Sequence, residues 1–212
     1  MRVANMYPMI QSEGHQYGAA QFMVRTAGCA VYDCPIRSEC DESHALDFAV
    51  GQDVSTHQIL SEAVRHLGQH CWIHISGGEP CNQPTALIEL QQEAHKRHFK
   101  VHLQTSGTIK VPIKWDWITV SPKCAEPDLK QRFGQELKLI ATPDLMGLDL
   151  WRQIDVLADW YSKTKFSDYY LQPLWSDGQC NVAETAELVR QANRRGYQWK
   201  MSVQWHKWAG LK

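Results

Sequence analysis

What most limits the fold of this chain is an alternation: short stretches rich in β-branched and aromatic residues are separated by longer segments of helical period. The stretches AAQFMVRTAG, HCWIHISG, FKVHLQTSG, WDWITVS, ELKLIAT, DYYLQPL and YQWKMSVQW read as strands. Helices are predicted over Thr56 to Leu67, Thr85 to His98, Leu150 to Lys163 and Val182 to Arg195. Ser55 stands as N-cap of the first, Pro84 precedes the second, and the last follows Asn181 and stops before Gly196. Strand, helix and strand in repetition imply a parallel sheet covered by helices, an α/β fold. The segments after Leu103 and Val120, broken by Pro112, Pro122 and Pro127, are too short for full crossover helices. The expectation is therefore an incomplete (β/α) partial barrel with mostly parallel strands, not a closed eightfold one.

A chain of 212 residues, 43% of them hydrophobic, buries a full core as one domain. Its 22 basic and 23 acidic residues nearly cancel and form no long runs, which argues against an extended nucleic-acid surface and favours a small substrate. No apolar run approaches a membrane span, and the start MRVANMYPMIQSEGHQ lacks signal-peptide character, so the cytosol is the expected compartment.

In a sheet of this kind ligands gather beyond the carboxyl ends of the strands, where loops converge and helix N-termini offer free amides. Polar or glycine-rich loops fall at those ends: SGGEP (Ser76 to Pro80), TSG (Thr105 to Gly107), SPK (Ser121 to Lys123) and QP (Gln172, Pro173). Each alone is an ordinary turn composition. After the first strand comes GCAVYDCPIRSECDES, which packs Cys29, Cys34 and Cys40 into one loop. Seven cysteines, odd in number and unevenly spread, do not read as a disulfide framework. The three close ones admit a zinc site completed by His44, or a metal centre that uses three thiolates and leaves one position open.

Taken in order, these motifs resemble the radical S-adenosylmethionine (SAM) enzymes, and more closely the 7-carboxy-7-deazaguanine synthase family, from Gln11 to the C-terminus. The family's opening loop appears as QSEG (Gln11 to Gly14), its strand arginine as Arg25 in FMVRTAGC, and its cysteine–aspartate pair as Cys40 and Asp41. SGGEP and QTSG stand for TGGEP and ETSG; VSPK and LQP are intact; MSVQWHK replaces a terminal MQTHK. The chain departs from the pattern in spacing, Cys-x4-Cys-x5-Cys within an enlarged loop near residues 29–54. It departs again at Glu39, where relatives carry an aromatic residue, so that Tyr32 or Ile36 takes that place.

The resemblance implies a four-iron, four-sulfur cluster on Cys29, Cys34 and Cys40, whose open iron is chelated by SAM. It assigns SAM contacts to Glu39, Asp41, Gly77, Gly78, Glu79, Thr105, Ser106, Ser121, Pro122, Lys123, Gln172, Pro173, Leu174 and Trp175. Gly77 and Gly78 let the strand end run close to the methionyl group, and Glu79 accepts from its ammonium. The second ligand implied is a carboxylated tetrahydropterin, bound by Ile10, Gln11, Ser12, Glu13, Arg25, Ser76, Gln204, His206 and the terminal Lys212. Arg25 is the partner for its carboxylate. A 5'-deoxyadenosyl radical takes the hydrogen at C6, the ring contracts with loss of ammonia, and return of the hydrogen regenerates SAM. Magnesium is expected as well, with Glu42 or Ser43 where relatives place a hydroxyl ligand. An electron donor such as flavodoxin or ferredoxin and a homodimeric state complete what the resemblance implies. Two other classes compete: an activase abstracting from a glycine of a partner protein, and a non-catalytic zinc-binding module.

Overall fold

The computed structural model describes residues 1–176 and 178–210. In chain order its strands and helices are β1 (Arg2–Ile10), β2 (Ala20–Thr26), β3 (Gln52–Asp53), α1 (Thr56–Leu67), β4 (Trp72–Gly77), α2 (Pro84–Lys96), β5 (Lys100–Thr105) and β6 (Trp117–Val120). They continue with β7 (Phe133–Ala141), α3 (Pro143–Met146), α4 (Leu150–Lys163), β8 (Lys165–Pro173), β9 (Trp175–Ser176), β10 (Gln179–Cys180), α5 (Val182–Arg194), β11 (Trp199–Met201) and α6 (Trp205–Ala209).

One nine-stranded sheet has the order β11-β8-β7-β6-β5-β4-β2-β1-β3. From β2 to β11 every pairing is parallel, whereas β1 runs antiparallel to both β2 and β3. The order ends at different strands on its two sides, so the sheet is an open partial barrel, as expected. The crossovers from β5 to β6 and from β6 to β7 carry no α-helix, also as expected. Among the described residues no helix is long and apolar enough to cross a membrane.

Local signals explain the helices. Ser55 caps α1 in a full capping box, accepting from Gln58 N at 3.2 Å while Gln58 Oε1 accepts from Ser55 N at 2.9 Å. Asp149 accepts from the first amides of α4, Trp151 N and Arg152 N, each at 3.1 Å. The helices bury one face each, with Ile59 and Leu60 of α1, Leu87 and Leu90 of α2 and Leu157 of α4 fully covered. Each such side chain contributes about 1.5–3 kcal/mol. They pack on the outer strand face formed by Phe22, Val24, Ile73, Ile75, Val101, Leu103, Val120, Leu137 and Leu171. The alternate residues point the other way, and there the sequence is polar: Gln21, His74, His102, Thr119, Glu136, Lys138 and Gln172 are all buried on the inner face.

Three features differ from the sequence expectation. Strand β1 was not among the strands expected from the sequence; it tolerates Pro8 because its far side meets only β3, through Arg2 and Val3, leaving Pro8 at an open edge. The expected last strand shrinks to Trp199–Met201, and Trp205 begins α6 instead. Asn181 precedes α5 but makes no side-chain cap there. Its amide donates to Ala141 O and its Oδ1 accepts from Leu174 N, both at 2.8 Å, which ties β7 to the loop after β8.

Candidate functional site

The strand ends and the cysteine loop enclose a cavity of about 250 Å³. Cys29, Cys34 and Cys40 line it, and no other cysteine does. All three thiols are half-buried. Burial pushes the Cys29 and Cys40 thiols up, an effect partly offset by the nearby cations Arg37 and Lys123. Burial lowers Lys123 to about 8 against the opposing pull of Cys34 and Cys40, and its Nζ donates to Ser121 O and Oγ at 2.9 and 2.8 Å. Among the described residues no three cysteine, histidine or acidic side chains stand together as a metal-holding group, so the thiols share a wall without converging. The donor set itself fits an iron–sulfur cluster: three soft ligands, flanking cations for an anionic centre, and a side open to the cavity. A tetrahedral zinc site fits less well. His44, its fourth ligand, does not line the cavity; its Nε2 lies 3.1 Å from Asn5 Nδ2.

The loop reaches the cavity through backbone ties. Gly28 N donates to Ala45 O at 2.8 Å, Cys29 N to Leu46 O at 3.0 Å, and Glu79 N to Gly28 O at 2.8 Å. Gly78 sits inside this weave, and a Cβ there would overlap the Gly28 carbonyl. The glycine is thus required by the approach of two backbones, beside any role toward a ligand. Gly78→Ala is expected to destabilise the ligand-free protein by about 1–3 kcal/mol, measured by urea unfolding. An unchanged midpoint would show that the ties are dispensable.

Of the remaining SAM assignments, Glu39, Asp41, Gly77, Thr105, Ser106, Ser121, Gln172, Pro173, Leu174 and Trp175 line the cavity with Gly78 and Lys123. Two do not. Glu79 is buried beneath it, accepting at Oε1 from Thr105 Oγ1 (2.7 Å) and Cys81 N (3.0 Å) and at Oε2 from Ser106 N (2.8 Å) and Ser106 Oγ. It cross-links the ends of β4 and β5. Pro122 faces a neighbouring cavity of about 330 Å³ that shares Ile36, Lys123 and Ile140 with the first. Of the two residues open to replace the aromatic, Ile36 lines both cavities while Tyr32 is 74% exposed.

The substrate assignments Ile10, Gln11, Ser12, Glu13, Arg25, Ser76, Gln204 and His206 all line the cavity; Lys212 lies outside the described residues. The QSEG loop and the chain's last turn hold one another. Ser12 Oγ lies 2.6 Å from His206 Nδ1, and Gln204 Nε2 donates to Glu13 Oε1 at 2.9 Å and Asp41 Oδ2 at 3.0 Å. Gly14 has φ +65° and lies so close to Glu136 that a side chain would collide with the carboxylate.

Sequence reading missed Lys138, which is 2% exposed and pairs with Glu13. Burial alone would raise the Glu13 carboxyl; the Lys138 charge and hydrogen bonds from Lys138 and Gln204 more than offset this and hold it at about 2. His74 was missed as well. Its Nδ1 lies 2.8 Å from Gln21 Oε1, and its buried Nε2 has no partner. Burial lowers its pKa to about 3, so the ring is neutral. The signal for both is parity: Lys138 lies two residues before Ile140 and His74 two before Ser76, on the strand face that reaches the cavity.

Arg25 donates from Nη2 to Tyr7 Oη at 2.6 Å and pairs through Nη1 with Glu42. Glu42 is therefore engaged, Ser43 does not line the cavity, and Asp41 is held by Lys207 Nζ at 2.7 Å. A magnesium site built from Glu42 and Ser43 does not fit this arrangement.

No family model matches the chain. It is 30% identical over 226 residues to the 7-carboxy-7-deazaguanine synthase of Bordetella pertussis, covering 99% of this chain and 98% of that one. It is 30% identical over 227 residues to that of Caulobacter vibrioides, with the same coverage, and 29% identical over 217 residues to that of Haemophilus influenzae, covering 99% and 93%. In structure it resembles QueE from Escherichia coli, with a TM-score of 0.68, 22% identity and 96% and 93% of the chains covered. It also resembles a radical SAM methyltransferase from Sphaerobacter thermophilus, with a TM-score of 0.57, 12% identity and 93% and 69% covered. Those two likenesses carry the fold; the 30% identity along nearly the whole of both sequences carries the family, and the chain belongs to the 7-carboxy-7-deazaguanine synthases, lyases of the radical SAM group.

Proposed function

We propose that the chain converts 6-carboxy-5,6,7,8-tetrahydropterin to 7-carboxy-7-deazaguanine with release of ammonia. Substrate and product differ only by the elements of ammonia, so the reaction is redox-neutral and SAM serves catalytically. The observation that carries this reading is one cavity lined by three thiols, the Arg25 guanidinium and the Glu13 carboxylate. A ligand with a carboxylate at one end and N–H donors at the other matches that pair of opposite fixed charges.

Cys29, Cys34 and Cys40 would hold the cluster, and the strand-end residues from Thr105 to Trp175 would hold SAM. When bound, these cofactors supply reversible abstraction of a hydrogen atom. The chain's own residues orient the reacting ring. Arg25 receives the carboxylate and is kept in place by Tyr7. Glu13, ionised at neutral pH, accepts from the amino edge of the pterin, and Gln204 and Lys138 hold it in position. His74 and Gln172 also line the cavity, and their buried Nε2 and Oε1 atoms have no hydrogen-bond partner. An external donor of flavodoxin or ferredoxin type supplies the priming electron, and the chain works as a homodimer in the cytosol.

The test is anaerobic incubation of the reconstituted protein with reductant, SAM and the carboxylated pterin, with and without magnesium, followed by mass spectrometry. Carboxydeazaguanine and ammonia are expected, with turnover exceeding the SAM consumed. A protein that cleaves SAM yet leaves this pterin untouched would overturn the substrate assignment.

A further inference from the structure

The last helix, α6, has little of its own to keep it in place. It is five residues long, none of them buried, and no side chain caps its start. A helix so short does not persist by itself in water. Yet Gln204, His206 and Lys207 all line the cavity, so their placement rests on ties to other parts of the chain. Two ties run to the QSEG loop, where Trp205 N donates to Ser12 O at 3.3 Å and His206 Nδ1 lies 2.6 Å from Ser12 Oγ. Another is aromatic: Trp208 meets Trp175 edge to face, with ring centres 5.4 Å apart.

The remaining tie crosses to the cysteine loop. Asp41, next after Cys40 in the chain, accepts at Oδ1 from Lys207 Nζ at 2.7 Å and at Oδ2 from Gln204 Nε2 at 3.0 Å. The same Gln204 nitrogen donates to Glu13 Oε1 at 2.9 Å. One amide therefore bridges two carboxylates from different loops, and these repel one another across it. Each has its own cation, Lys138 for Glu13 and Lys207 for Asp41. The Lys207 side chain is 17% exposed, and its ammonium lies 5.9 Å from the centre of the Trp175 ring. Without Lys207, Asp41 would face Glu13 with no counter-charge, and the amide bridge between them would loosen.

We infer that Asp41 and Lys207 are positioning residues that clasp the C-terminal turn to the cysteine loop and so hold Gln204 and His206 at the pterin side of the cavity. The resemblance gives Lys207 no role and counts Asp41 among the SAM contacts, whereas here both Asp41 oxygens are engaged by the C-terminal turn. The identity of the ligand rests on the reading given under Proposed function; the clasp does not.

Two measurements test it. The first is hydrogen exchange of the ligand-free protein, read by mass spectrometry. Lys207→Met should exchange about fivefold faster over residues 204–209, the effect of an ion pair of this exposure, and no faster in the buried strands. Lys207→Arg should stay close to wild type, because a guanidinium also reaches a carboxylate. Asp41→Asn should loosen the same segment, and joining it to Lys207→Met should add little, since either change alone breaks the pair. The second is equilibrium dialysis of pterin-6-carboxylate and of SAM on anaerobically reconstituted protein. Lys207→Met should weaken the pterin probe about fivefold and SAM much less. Unchanged exchange over residues 204–209 in Lys207→Met overturns the clasp, whatever the ligand. Faster exchange spread through the whole chain marks a general loss of stability and overturns it too. A loosened segment with unaltered pterin binding overturns the positioning role. Wild-type protein that fails to bind the pterin probe overturns the substrate reading instead, while the exchange result still decides the clasp.

Discussion

Single replacement of Cys29, Cys34 or Cys40 by alanine is expected to abolish the visible absorption of the reconstituted cluster and to reduce SAM cleavage to background. Three thiolates are the fewest that hold a four-iron cluster with one open iron, so no member of the set is redundant. The structure places these three on the cavity and every other cysteine elsewhere. Cys81 is 3% exposed in the core, its thiol pushed up to about 12 by burial and the Glu79 charge, and is inert as a ligand. Cys124 lines the neighbouring cavity and Cys180 lies in the β9–β10 hairpin. Alanine at Cys71, Cys81, Cys124 or Cys180 should leave about four irons per chain. Iron and sulfide analysis decides the matter: a full cluster without Cys34 would show that another ligand has been overlooked, and zinc without sulfide would return the binding-module reading.

Lys138→Met is expected to cost about 3–5 kcal/mol of stability at neutral pH, because it leaves the Glu13 carboxylate buried without its cation. The effect has a characteristic pH dependence. Glu13 titrates at about 2 in the folded chain, below its ordinary 4.5. Its contribution to stability is therefore complete above pH 4.5 and is lost as pH falls toward 2. Without Lys138, burial dominates and raises the Glu13 carboxyl, so the variant no longer loses that contribution on acidification. The gap between wild type and variant should be widest near neutrality and close as the pH is lowered. Urea unfolding followed by tryptophan fluorescence at a series of pH values measures it. Adding Glu13→Gln to Lys138→Met should recover a large part of the loss, since both charges are then gone. A gap that is independent of pH would mean that the lysine stem, and not its charge, is what the fold requires.

The alternation of strand and helix, the capped start of α1 and the placing of SGGEP, TSG, SPK and QP at strand ends were all legible in the linear chain. Each depends on periodicity or turn chemistry that acts over a few residues, as the Ser55–Gln58 box does. The clustering of Cys29, Cys34 and Cys40 in one loop beside the cavity was legible for the same reason, the three lying close together in sequence. Tertiary structure alone decided which polar groups meet. Lys138 reaches Glu13 across 125 positions and Gln204 reaches it across 191, so no local pattern joins them. The roles of Glu79, turned into a cross-link under the cavity, and of Glu42, turned toward Arg25, follow from packing of the loop against β2 and β4. Residue type announced that these side chains were charged. Their partners were set by the sheet, because a charge removed from water takes whichever counter-charge the assembled strands bring within reach.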